Sequence, residues 1–175
     1  MVMAVVLSPS LLAAAPAPRA AEAVARSLCA LVRAAVEGVV RDAIIIGKAD
    51  DQLGEIANEA GCAMIETRSA AEGLARAVAQ SRSEIAFVLK GGFIPQNGFI
   101  EEASDLLLGA ADFRGARLLR EPNNLLTRIA PGLAEPVGAF VLCSALRAAA
   151  PRDIKELIRR AKIRQTLHIR AQKVV

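Results

Sequence analysis

The sequence predicts an α/β domain of three layers, a mostly parallel central sheet between helices. Two observations carry that expectation. Short apolar, β-branched runs alternate with helix-like stretches through the first ~110 residues, the pattern of βαβ units. Two of those runs, Ile44-Ile45-Ile46 and Ile85-Ala86-Phe87-Val88-Leu89, end in glycine-containing turns that carry a lysine. In open α/β sheets ligands bind at the carboxyl ends of the strands. Gly47-Lys48 and Lys90-Gly91-Gly92 are therefore the expected site loops.

The elements follow in order. Val2–Leu7 reads as a buried strand and Ser8–Pro18 as a loop rich in Pro and Ala. Arg19–Val36 reads as an alanine-rich helix whose inner face is Val24, Leu28, Leu31 and Val32. Ala43–Ile46 is too short and too β-branched for a helix and reads as a second strand. Asp50 or Asp51 caps a helix that runs to about Ala60 and stops at Gly61. Cys62–Glu66 is a third strand, and Ser69 with Glu72 forms a capping box for a helix through Ala79. Ile85–Leu89 is the fourth strand, and Phe99–Leu108 the next helix, ending at Gly109. Beyond it Arg117–Leu119 and Phe140–Cys143 read as strands, with Pro122, Pro131 and Pro136 breaking the region between them. From Pro151 a basic amphipathic helix begins, with Ile154, Leu157, Ile158 and Ala161 on one face.

At 175 residues and 54% apolar composition the chain is expected to make one domain with a sizeable core, residues 1–150, and a basic C-terminal helix or tail, 151–175. The tail holds eight Lys/Arg against two acids, so the net charge of +4 belongs to it, and residues 1–150 are slightly acidic. Five Phe, no Trp and no Tyr leave no stacking platform for bases, so no nucleic-acid partner is expected. Cys29, Cys62 and Cys143 have no C-x-x-C spacing, which points to small buried residues in a reducing compartment. His168 is the only histidine, which leaves no material for a His-based triad. Met1–Ala23 lacks a positive n-region and is interrupted by Ser8-Pro9-Ser10, so it is not expected to act as a signal peptide. The expected location is cytoplasmic, with the basic tail a candidate for contact with an anionic membrane surface.

Lys48 and Lys90, both at strand ends, have two readings: fixed charges that stabilise a diphosphate, or solvated loop lysines. Gly91-Gly92 allows close backbone approach to a phosphate. Asp50-Asp51 reads as a helix cap or as cation ligands, and these acids would repel a diphosphate at the helix N-terminus. Glu101, Glu102 and Asp105 read as a solvated helix face, or as one with a single metal-facing member. Arg114, Arg117 and Arg120 line one face of a helix or scatter around a short strand.

Several segments carry a family pattern. They are Val36-Glu37-Gly38-Val39-Val40-Arg41-Asp42-Ala43-Ile44-Ile45, Leu53-Gly54-Glu55-Ile56-Ala57-Asn58-Glu59-Ala60-Gly61-Cys62, Phe87-Val88-Leu89, Pro95-Gln96-Asn97-Gly98-Phe99 and Val137-Gly138-Ala139-Phe140-Val141. Over roughly residues 2–148 the chain resembles a family 2 glycosyltransferase with the Rossmann-like GT-A fold of nucleotide-diphospho-sugar transferases. The resemblance implies three acids: one at the end of the second strand that binds the nucleotide base, one after the fourth strand that holds a divalent cation, and one that acts as general base. By register those positions are Ile46, Gly92 and Pro136, with only Glu135 near the last. The expectation is a degenerate, non-catalytic module, a scaffold or partner of another protein or a homo-oligomer, with no metal and no cofactor. The alternative is a metal-independent transferase that binds a nucleotide sugar through Gly47, Lys48, Asp50, Asp51, Lys90, Gly91 and Gly92.

Overall fold

The computed structural model describes residues 3–8, 17–48, 51–109 and 113–174. The loop expected over Ser8–Pro18 lies mostly outside them, as does much of the N-terminal stretch weighed as a signal peptide. In chain order the elements are β1 (Met3–Ser8), α1 (Ala17–Val36), β2 (Val40–Gly47), α2 (Asp51–Glu59), β3 (Ala63–Glu66), α3 (Ala70–Gln80), β4 (Ile85–Lys90), β5 (Phe93–Pro95), α4 (Phe99–Leu108), β6 (Ala116–Arg120), α5 (Leu125–Ile129), β7 (Pro136–Leu142), α6 (Cys143–Ala149), α7 (Ile154–Arg160) and β8 (Gln165–Lys173). A 3-10 turn, Pro131–Leu133, lies between α5 and β7.

The eight strands form one sheet in the order β3-β2-β1-β4-β7-β6-β8-β5. The β3-β2-β1-β4 half is parallel, as expected. The other half is not. Strand β7 runs antiparallel between β4 and β6, and β5 runs antiparallel to β8, so the sheet is mixed. The reason lies in the connection. Residues 121–135 are broken by Pro122 and Pro131 and hold only the five-residue α5, too little for the crossover that a parallel neighbour needs. The chain therefore turns back beside β6.

Both faces of the sheet are covered, which is why its central strands are apolar throughout. Alternation sorts their side chains. Ile45, Phe87, Leu89 and Phe140 face α1, α2 and α4. Ile44, Ile46, Val88 and Val141 face α3, α6 and α7. On the first face Phe87 stacks on Phe140 at 4.5 Å and meets Phe99 at 5.1 Å.

Local differences from the sequence reading are instructive. In α1 the buried stripe is Ala21, Val24, Ser27, Leu31 and Ala34, and Val32 is 57% exposed. Ser27 takes a place in the stripe because its hydroxyl has partners inside. Ser69 does cap α3, accepting from the Glu72 N–H at 3.3 Å. Glu72 itself bonds the Thr67 hydroxyl instead of closing the box. Glu102, expected on a solvated face, accepts the backbone N–H groups of His168 and Ile169 at 2.6 and 3.0 Å and ties α4 to β8. The basic segment after Pro151 is helical only over Ile154–Arg160, and then supplies β8, which sits between β6 and β5. Cys143 is buried and Cys62 half-buried, but Cys29 is exposed. Among the described residues no helix is long and apolar enough to cross a membrane.

Candidate functional site

The two expected loops do lie at one end of the sheet, at the carboxyl ends of β2 and β4. Strand β1 pairs with β2 on one side and β4 on the other, with Leu7 level with both Ile45 and Leu89. Lys48 just after β2 and Lys90 at the end of β4 therefore belong to strands two ladder steps apart, ~10 Å between strand axes.

The β2 loop is closed from beneath. Ile46 is fully buried under α3. Helix α3 comes this close because residue 73 is glycine: a Cβ there would lie 2.3 Å from Ile46 Cγ2 and 2.8 Å from Thr67 Cγ2. Gly47 is buried, and its carbonyl accepts the Thr67 N–H at 2.8 Å. Lys48 is exposed. Asp50 lies outside the described residues, and Asp51 opens α2, its side chain likewise outside them.

The β4 loop has internal partners too. Lys90 Nζ lies 3.1 Å from Glu135 Oε1, with the two side chains 20% and 36% exposed. It also sits 5.6 Å from the Phe93 ring centre. The antiparallel register brings this pair together: Leu89 faces Gly138, so Glu135, just before β7, reaches the end of β4. Gly91 and Gly92 are buried. Gly92 has φ +81, the left-handed region that favours glycine. Its N–H donates to Ser27 Oγ at 3.0 Å, and its carbonyl accepts the Val174 N–H at 2.8 Å. In the turn expected to receive a phosphate, the N–H and the carbonyl of Gly92 are thus occupied by helix α1 and by the chain just after β8. Sequence reasoning missed Ser27, whose one signal is a lone hydroxyl on the apolar stripe of a helix.

What remains open is a cleft of about 190 Å³ lined by Lys90, Glu135, Pro136, Asp153, Ile154 and Lys155. Asp153 caps α7, accepting the Glu156 N–H at 2.7 Å. The two carboxylates of the cleft are thus both engaged. Among the described residues no group of three or more His, Cys, Asp or Glu is placed to hold a metal ion. Arg117 and Arg120 belong to β6 while Arg114 precedes it, the scattered arrangement of the short-strand reading.

No family model matches the chain, and no curated protein matches it. Solved structures do. A crystal structure of glucosyl-3-phosphoglycerate synthase from Mycobacterium tuberculosis in complex with Mn2+, UDP and phosphoglyceric acid is similar, with a TM-score of 0.64 at 17% identity. The match covers 94% of this chain and 68% of that one. The fold is the GT-A glycosyltransferase fold. Two more structures agree with that. One is of the same synthase with Mg2+ and UDP, with a TM-score of 0.63 at 17% identity over 99% of this chain and 70% of that one. The other is mannosyl-3-phosphoglycerate synthase from Rubrobacter xylanophilus, with a TM-score of 0.63 at 9% identity over 100% and 67%. The chain spans about two thirds of the length of these GT-A structures.

These neighbours correct one expectation. Gly92 in place of an acid implies a protein without a divalent cation, yet structures with this GT-A fold hold Mn2+ or Mg2+ together with UDP. A missing carboxylate at one position does not exclude a cation, and cations belong among the ligands to be tested.

Proposed function

We propose that this protein is a GT-A module without transferase activity of its own, which serves as a scaffold or partner of another protein. One observation carries the reading. Ile46, at the strand end where the resemblance calls for a base-binding acid, is fully buried beneath Gly73. A carboxyl in its place would be buried without a partner, which costs several kcal/mol whether it stays charged or takes up a proton. The strand end is packed as core, and the neighbouring Lys90 has Glu135 as its counter-ion.

A protein contact is the remaining role for such a module, with a second copy included. In its favour, Leu125, Leu126 and Ile129 of α5 are exposed, as is Leu133 in the following turn. An apolar group of this kind at the surface favours a contact. The exposed Arg152, Lys155 and Arg159 keep membrane-surface contact by 151–175 as a subsidiary proposal.

The test is turnover. UDP release from UDP-glucose is followed with phosphoglyceric acid as acceptor and Mn2+ present, the ligands of the solved neighbour. The module releases no more UDP than a protein-free control. Release that scales with protein concentration would overturn the proposal.

A further inference from the structure

The opposite end of the sheet carries a second cavity. The approach to β6, the end of β7, the start of α6 and the link from α7 to β8 enclose an open groove of about 590 Å³. That lies within the ~300–1,000 Å³ of small-molecule sites. Arg114, Lys162 and Arg164 line it, and Phe113, Leu142 and Ala145 supply apolar wall. All three cations are exposed, and no acid is among the described lining residues. Among the described residues the side chains of these three make no hydrogen bond or ion pair. Like charges gathered around one cavity repel each other unless an anion joins them.

The backbone adds an independent observation. Lys162 has φ +53, in the left-handed region. It sits just past the end of α7, where its N–H donates to Arg159 O at 3.3 Å and the Ile163 N–H donates to Ile158 O at 3.0 Å. That position favours glycine, because a side chain there crowds the backbone. A helix-dipole role explains the lysine poorly, because Arg159 and Arg160 already fill the last turn. On the opposite wall Gly115 has φ +105, and a Cβ there would lie 2.7 Å from Phe140 O. One wall needs its glycine, and the other keeps a lysine where glycine would fit better.

We infer that this groove binds a small organic anion. Its phosphate or carboxylate lies among Arg114, Lys162 and Arg164, and its apolar body lies against Phe113, Leu142 and Ala145. The inference is independent of the strand-end loops and of whether the protein transfers sugar.

Lys162→Gly separates binding from folding, since glycine suits the backbone and removes the charge. Titration of the full chain with phenyl phosphate and with inorganic phosphate, at constant ionic strength, is followed by amide chemical shifts. Wild type binds phenyl phosphate saturably and more tightly than inorganic phosphate, with shifts at residues 113–115 and 162–165. Lys162→Gly melts at or above the wild-type temperature and binds phenyl phosphate about tenfold more weakly. Lys48→Ala, at the other end of the sheet, binds as wild type does. Equal affinity of Lys162→Gly and wild type, equal affinity for the two probes, or no saturable shift would each overturn the inference.

Discussion

Gly73 rests on Ile46 so closely that a Cβ on Gly73 would stand 2.3 Å from the Ile46 Cγ2. This contact seats α3 on the end of β2 and closes the strand end. Gly73→Ala gains about 1 kcal/mol of helix propensity and loses ~1–3 kcal/mol to overpacking, so the net effect is destabilising. Ile46→Ala removes the methyl and leaves Ile46 Cβ at 3.6 Å, an ordinary contact. The two substitutions therefore couple. In denaturant unfolding Gly73→Ala costs less in the Ile46→Ala background, and strict additivity would show that the contact does not hold α3 in place.

Ser27 is the second fastening. Its Oγ accepts the Gly92 N–H, and its own proton goes to Phe93 O or Ala23 O, each at 3.0 Å. Ser27→Ala leaves a buried N–H without a partner and destabilises the fold by ~1–3 kcal/mol. Hydrogen exchange reports the site directly: the Gly92 amide exchanges faster in Ser27→Ala. Unchanged protection would mean the turn is held by other contacts.

The Lys90–Glu135 pair is partly exposed, so its worth is modest. A double-mutant cycle with Lys90→Ala and Glu135→Ala should give a coupling of about 0.5–1 kcal/mol that shrinks in high salt. A coupling near zero would leave Lys90 free for a ligand.

Glu156 gives the fold an acid-dependent component. The Arg152 N–H donates to its carboxylate at 2.8 Å, and together with the Arg160, Arg152 and Arg159 charges it holds the carboxyl below the usual carboxylate range, against the opposing effect of burial. A lowered folded-state pKa stabilises the fold above the unfolded-state value, and this contribution is lost as pH falls through the folded-state one. Glu156→Gln therefore melts below wild type at neutral pH, and the gap closes in acid. A gap that stays constant with pH would contradict this account.

Much of this was legible in the sequence, because the parallel half of the sheet is built from local patterns. Apolar runs mark β2 and β4, Gly109 follows α4, and Ser69 marks the start of α3. Ile46, Gly92 and Pro136 also read as departures from the acidic pattern that the resemblance implies, with Glu135 the one acid near the last. The mixed half was not legible, since β8 finds β6 in parallel and β5 in antiparallel by long-range pairing that no local period encodes. The partners of Gly92 come from residues 27 and 174, distant in sequence on either side. The basic groove is likewise assembled from segments near 114, 142 and 163, and no one of them signals a site alone.

The closed strand end is tested most directly by the melting temperature of the full chain with UDP-glucose and saturating Mn2+, against Mn2+ alone. A ligand at about a hundred times its Kd adds ~2.7 kcal/mol, roughly 5–11 °C for a domain of this size. The account predicts no shift beyond that of the cation alone. A saturable rise of several degrees on adding UDP-glucose would contradict it.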